Sequence, residues 1–236
     1  MVDFCFATFC FGDVYYTQTN RLIESFISKN INFIKIFVIT DQPDKIRGED
    51  FVYVKHINEY NEKYNSYEKN YYDFDFSVKR YSLKFALDNG FEKIALVDCD
   101  IVLTDFYSED EINNSFLKNC ITGPICYELD SCPKSSMLGE RLKYYAKIFQ
   151  SDISEETIKN SCMPEDCILF FNVEKKTFEK FLDCWDYCIK TKYEHNLINI
   201  PAGNIDEICF SAYKYGISTR NLACDSLIAI HDKWYY

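Results

Sequence analysis

Glycine and proline are scarce in this sequence, seven and five among 236 residues. So low a content argues against a linker-rich array, which needs flexible or stiff spacers between its modules. Basic residues are outnumbered: 26 Lys and Arg against 37 Asp and Glu leave a formal net charge of -11. That balance argues against general nucleic-acid binding, which needs a basic phosphate-tracking face. No apolar run approaches the roughly 20 residues that cross a bilayer. No charged-then-apolar leader precedes the strand-like stretch Val2-Asp3-Phe4-Cys5-Phe6-Ala7. There is no internal repeat, no low-complexity segment and no shift of composition to mark a domain boundary. The twelve cysteines include no CxxC pair, and Cys5, Cys99 and Cys167 sit inside apolar runs. Buried free thiols behave as small hydrophobes, so the expectation is a soluble protein of a reducing, cytoplasmic compartment.

What is present is core. Hydrophobic residues make up 47% of the chain, enough for one large α/β domain. Strand-like runs at Phe4 to Phe9, Phe33 to Thr40, Phe51 to Ile57 and Lys93 to Val97 alternate with helical patterns. The helices are expected at Asn20 to Lys29, with Leu22, Ile23, Phe26 and Ile27 on one face, and at Val78 to Asn89, capped by Ser77 and stopped at Gly90. Further on come a short helix at Glu109 to Phe116 with Ser108 and Glu111 as a capping box, a strand at Cys120 to Tyr127 and a helix at Leu138 to Phe149. An acidic helix at Glu155 to Asn160 and a strand at Cys167 to Val173 follow. A long helix then stripes Phe178, Phe181, Leu182, Trp185 and Ile189 along one side. A helix at Asp206 to Tyr215 and a strand at Leu227 to Ile230 complete the pattern. Such alternation predicts a mainly parallel, Rossmann-like sheet covered by helices on both faces. Tyrosines at 60, 64, 67 and 71 fall at helical spacing, as core packing or as a lid or sugar-stacking platform.

Asp98-Cys99-Asp100 is the strongest chemical signal. It sits between the apolar runs Ile94-Ala95-Leu96-Val97 and Ile101-Val102-Leu103. Two carboxylates at the tip of a strand buried on both faces are costly unless a cation or ligand compensates them. Strand carboxyl ends are where open α/β sheets bind ligands. Hard oxygen donors there suit Mg²⁺ or Mn²⁺ bridging to phosphate. His231, after Ile228-Ala229-Ile230, is the candidate third ligand, and imidazole tilts the choice towards Mn²⁺. Lys233 could neutralise a diphosphate as a point charge. Against this stands an idle, solvated acidic loop.

Together these residues resemble the GT-A-fold glycosyltransferases, most nearly the glycogenin and lipopolysaccharide galactosyltransferase family, glycosyltransferase family 8. Phe6-Ala7-Thr8 is similar to that family's first strand, with Asp13 and Tyr15 at its nucleotide contacts. Lys79-Arg80-Tyr81 lies one helix upstream of the aspartates, as the family's basic residue does. Glu92 to Leu103 resembles the DxD strand, and Asp166 to Val173 running into Phe178 its "NAGV…N" element. Asp206-Glu207 falls at its Asp-Gln pair, and His231 with Lys233-Trp234 is similar to its terminal "H…KPW". The chain departs from the family at Glu165-Asp166-Cys167, where Asn-Ala-Gly is usual. It also has no Gly or Pro between His231 and Trp234.

The resemblance implies one GT-A domain, with a nucleotide-binding half at about 1–104 and an acceptor-side half at about 105–236. It implies a UDP-sugar donor and transfer of a hexose to a glycan or protein hydroxyl with retention of configuration. Ala7, Thr8, Phe9, Asp13 and Tyr15 would hold the nucleoside, and Arg80, with Lys79 as alternative, the diphosphate or sugar. Cys99 lies between the metal aspartates, and Lys233 reaches the diphosphate. Asp98, Asp100 and His231 would hold Mn²⁺ or Mg²⁺. Asp206, with Glu207 beside it, is the carboxylate assigned to the donor sugar, and Glu165 or Asp166 would serve the acceptor or a carboxylate-assisted displacement. A bacterial, viral or glycogenin-like setting fits, and a homodimer is compatible. Two other classes compete. A haloacid-dehalogenase-like phosphatase would use Asp98 as nucleophile and Asp100 as acid, but there the strand comes first in the sheet. A non-catalytic sugar- or protein-binding module would need neither aspartate.

Overall fold

Residues Phe4–Cys10 are buried at every position and form the first strand, β1. The computed structural model describes residues 2–60, 78–103, 108–123, 126–128, 146–147, 154, 162–164, 168–194, 205–221 and 229–231. Expectations for the Tyr60–Tyr72 stripe beyond its first residue, the Ser77 cap and the acidic helix at 155–160 fall outside these residues, as does most of the helix expected at Leu138 to Phe149. The chain divides into two units, Met1–Asn114 with Cys224–Tyr236, and Ser115–Ala223.

In the first unit β1 runs parallel to β2 (Ile36–Thr40) and to β4 (Lys93–Val97), and β2 runs parallel to β3 (Val52–His56). The order is β3-β2-β1-β4. Opposite faces of this sheet are covered by two helices. Helix α1 (Asp13–Ser28) brings Phe26 edge-on to Phe6, ring centroids 4.9 Å apart. Helix α2 (Lys79–Asp88) brings Phe85 edge-on to Phe37 at 5.0 Å. Phe6 pairs with Ile36 and Ala7 with Phe37, so the pleat sends Phe6 and Phe37 to different sides. This is why both strands are apolar throughout rather than alternating.

Helix α1 starts seven residues earlier than the apolar periodicity indicates. Gly12, at φ 94°, makes the strand-to-helix turn directly after β1, a conformation that costs a side-chain-bearing residue. The first turn carries exposed Asp13, Val14 and Thr17 and so leaves no apolar stripe to read. Helix α2 ends as expected: Gly90, at φ 89°, gives its N–H to Leu87, and Phe91 gives its N–H to Ala86, the Schellman pattern.

The apolar run after the aspartates does not prolong β4. The chain turns, with the Ile101 N–H bonded to the Asp98 carbonyl at 3.2 Å. Ile101–Leu103 then forms β5, antiparallel to β11 (Ala229–His231). Ser25 of α1 seats β5, its hydroxyl accepting the Leu103 N–H at 3.3 Å. Helix α3 (Glu109–Asn114) closes the amino-terminal part of this unit.

In the second unit β6 (Cys120–Gly123) runs antiparallel to β9 (Ile168–Asn172) and parallel to β10 (Ser218–Asn221). A separate antiparallel pair joins β7 (Cys126–Glu128) to β8 (Cys162–Pro164). The expected strand at Cys120 to Tyr127 is therefore two strands. Helix α4 (Lys175–Glu194) buries its whole expected stripe, Phe178, Phe181, Leu182, Trp185 and Ile189. Its rings form a relay with Phe171 of β9: Phe171 stacks on Phe178 at 5.4 Å, Phe178 meets Phe181 at 5.8 Å, and Phe181 meets Trp185 at 5.9 Å. Helix α5 (Ile205–Lys214) packs on α4. Cys5, Cys10, Cys99, Cys120, Cys184, Cys188 and Cys209 are buried and free. Among the described residues no helix is long and apolar enough to cross a membrane.

Candidate active site

Four parallel strands with a common direction gather their carboxyl ends on one rim of the first unit. β1 delivers Ala7, Thr8 and Phe9, all buried, and then the exposed Asp13 and half-buried Tyr15 in the first turn of α1. β2 delivers Thr40 and Asp41. Tyr16 donates its hydroxyl to Asp41 Oδ1 at 2.6 Å, tying α1 to the end of β2. Burial, together with that carboxylate acceptor, pushes the Tyr16 phenol up to about 12. The Tyr16–Asp41 pair was not foreseen; the only trace of it in the sequence is Thr40-Asp41 closing an apolar strand.

β4 delivers the acidic pair. Asp98 is part-exposed, its side chain 21% accessible, and Cys99 is buried. Burial holds the Cys99 thiol well above its ordinary value, and burial pushes Cys10 to about 11. Both therefore stay protonated at neutral pH. Cys99 turns its thiol inward, and its backbone is what it can present at the rim.

The two basic candidates on α2 separate clearly. Lys79, 1% exposed, places Nζ 2.6 Å from Asp98 Oδ1, with the Phe9 ring centroid 5.8 Å away. Arg80 instead lies over the Tyr81 ring at 4.2 Å and donates to the Tyr81 hydroxyl at 2.6 Å. Arg80, with Lys79 as alternative, is the residue expected at the donor's diphosphate or sugar; on the Asp98 carboxylate the structure places Lys79. Neighbouring positions on a helix point about 100° apart, and only the packed helix decides which one faces the strand end.

His231 enters through the backbone. In the β5–β11 ladder it is the Cα partner of Ile101, the residue directly after Asp100. Chain positions 98–100 and 231 thus converge at one end of β5. Asp98 and Asp100 provide hard oxygen donors, and the register brings a histidine position beside them, a donor set suited to Mn²⁺ or Mg²⁺. Among the described residues no three His, Cys, Asp or Glu side chains form a complete ligand group; the His231 side chain, like Lys233, Glu165 and Asp166, lies outside the described residues.

Asp206 and Glu207 belong to the second unit, at the start of α5. Glu207 is 1% exposed. It lies near Cys188 of α4, whose thiol is held protonated by burial first, then by its hydrogen bond with Cys184 and by the Glu207 charge. The same sulfur pair has the opposite effect on Cys184, lowered to about 7 chiefly by the hydrogen bond from Cys188.

No protein-family model matches this sequence, and no curated protein does. Solved structures do resemble it. One is the galactosyltransferase LgtC in complex with donor and acceptor sugar analogs, at 11% identity and a TM-score of 0.56, covering 92% of this chain and 73% of that one. An active-site mutant of LgtC matches equally, with a TM-score of 0.56. Mouse xyloside xylosyltransferase 1, in its apo form, matches at 9% identity with a TM-score of 0.54, covering 94% of this chain and 86% of that one. The fold is therefore that of the GT-A glycosyltransferases, a mostly parallel sheet layered with helices.

Proposed function

We propose that this chain is a metal-dependent glycosyltransferase that moves a hexose from a nucleotide-diphosphate sugar, with UDP as the nucleotide, to a hydroxyl of a glycan or protein, retaining anomeric configuration. The observation that carries the reading is the convergence of Asp98, Asp100 and the His231 position at the carboxyl end of β4 and the amino end of β5. A solvated, idle acidic loop has no reason to be paired with a distant histidine strand. The phosphatase alternative is disfavoured by order: β4 is preceded in the chain by three other strands of its sheet.

A divalent ion held by Asp98, Asp100 and the His231 imidazole would supply Lewis-acid charge to the departing nucleoside diphosphate. The chain's own residues divide the remaining work. Backbone groups of Ala7, Thr8 and Phe9, with Asp13 and Tyr15, receive the base and ribose. Lys79 holds Asp98 and stands within the donor's reach. Lys233 and Arg80 add positive charge for the diphosphate. Asp206 is assigned the donor sugar, because Glu207 is buried against α4. Glu165 and Asp166 are assigned the acceptor.

The test is a thermal-shift screen of nucleotide sugars with and without Mn²⁺. Ligand at 100 times its dissociation constant stabilises a folded protein by about 2.7 kcal/mol. The expected result is a metal-dependent rise in melting temperature with UDP-sugars, lost in Asp98→Ala. No shift with any nucleotide sugar overturns the proposal.

A further inference from the structure

We infer that Lys79 is a resident counter-ion of the aspartate pair, which weakens binding of a divalent cation until a nucleoside diphosphate binds with it. The inference rests on the reading of Asp98 and Asp100 as metal ligands, and it concerns how that site is loaded.

Three observations lead to it. The Lys79 ammonium is almost wholly withdrawn from water, 1% exposed, and touches Asp98 Oδ1 at 2.6 Å. Lys79 is also the first residue of α2, where the partial positive charge of the helix end repels a cation. Burial and helix field both oppose the ammonium, and the carboxylate beside it offsets that cost. Thirdly, its apolar neighbour is the Phe9 ring, 5.8 Å from Nζ; a ring face attracts the charge weakly but accepts no strong hydrogen bond.

A divalent cation at Asp98 and Asp100 enters within a few ångströms of this fixed positive charge. Beside a part-exposed carboxylate, a like charge at that separation changes a binding equilibrium by roughly one order of magnitude. Metal alone therefore meets a site whose charge is already partly balanced. A nucleoside diphosphate brings negative charge that offsets both cations, so metal and nucleotide bind with positive coupling. Each raises the affinity of the other by the same factor.

The experiment measures Mn²⁺ binding by loss of the free-ion electron paramagnetic resonance signal, with and without UDP, in the wild type, Lys79→Met, Lys79→Gln and Lys79→Arg, with circular dichroism confirming the fold of each. Without nucleotide, the two neutral variants should bind Mn²⁺ about tenfold tighter or more, and Lys79→Arg should match the wild type. Adding UDP should tighten Mn²⁺ binding strongly in the wild type and much less in the neutral variants. Neutral variants that bind Mn²⁺ no tighter than the wild type overturn the role of Lys79 and leave the transferase reading standing. Failure of the wild type to bind Mn²⁺ even with UDP overturns both. If only one neutral variant folds, it decides alone.

Discussion

Ile101 and His231 are Cα partners in an antiparallel ladder, although about 130 residues separate them in the chain. Strand register has a period of two, so a slip of one residue would send His231 to the other face of β11. Three paired positions, Ala229 with Leu103, Ile230 with Val102 and His231 with Ile101, hold it in place. The apolar Ile101-Val102-Leu103 run, with Ile101 and Leu103 buried, gives that register its energetic preference.

Replacing His231 by alanine should therefore weaken Mn²⁺ binding without removing it. Loss of even an outer-shell partner commonly costs 10–100-fold in metal affinity, and loss of a ligand should cost at least ~10-fold. Titration of Mn²⁺ in the presence of UDP measures this. Unchanged affinity would remove His231 from the ligand set.

The two aspartates should behave alike towards ligand and differently towards folding. Asp98→Asn and Asp100→Asn are both expected to abolish the metal-dependent thermal shift. Asp98→Asn also takes a carboxylate charge away from the buried Lys79 ammonium. Removing one partner of a buried pair costs roughly 3–5 kcal/mol, and about 2 kcal/mol is expected here because Asp98 is part-exposed. Urea unfolding of the two variants measures the difference between them.

Tyr16 gives the fold an alkaline limit. Its phenol is raised from 10 to about 12 in the folded chain, so the folded state keeps a proton that the unfolded state releases. This contribution is complete below pH 10 and is lost as pH climbs through 12. Melting temperature should fall across that window, and Tyr16→Phe should flatten the fall. At neutral pH the same variant should cost about 1–2 kcal/mol for the bond to Asp41. A pH profile identical in both proteins would remove Tyr16 as its source.

Asp206 and Glu207 can be separated by comparing turnover with donor binding. Asp206→Asn should lower kcat by roughly 100-fold or more, as expected for a group acting in the transition state. Its donor-induced thermal shift should remain. Glu207→Gln should leave kcat within about tenfold, because its carboxylate is buried near Cys188 of α4. The reverse pattern would move the sugar contact to Glu207.

Much of the sheet was legible because its strands are buried on both faces. Ile94 to Val97 and Phe4 to Cys10 carry no polar side that could suggest anything else, apart from Thr8. The acidic pair was legible for the same reason, since carboxylates stand out against an apolar run. The long helix declared itself through the 3.6-residue spacing of Phe178, Phe181, Leu182, Trp185 and Ile189. The start of α1 stayed hidden because its first turns are exposed and carry no stripe. The choice between Lys79 and Arg80 stayed hidden because identical charge and adjacent positions leave no sequence difference for burial to act on. The ladder of β5 with β11 was invisible for a further reason: three apolar residues suit a strand end as well as a new strand, and only the distant partner distinguishes them.

The β5–β11 ladder also orders events during synthesis. Its first strand emerges from the ribosome early, while the second follows all of Ser115–Ala223. At 5–20 residues per second the interval is on the order of ten seconds. Throughout that time Ile101 to Leu103 lacks the strand that closes it, and the aspartates lack their histidine. On the proposed reading, a nascent or truncated chain would capture manganese poorly, and the finished protein would take up its cation only after its second unit has been made.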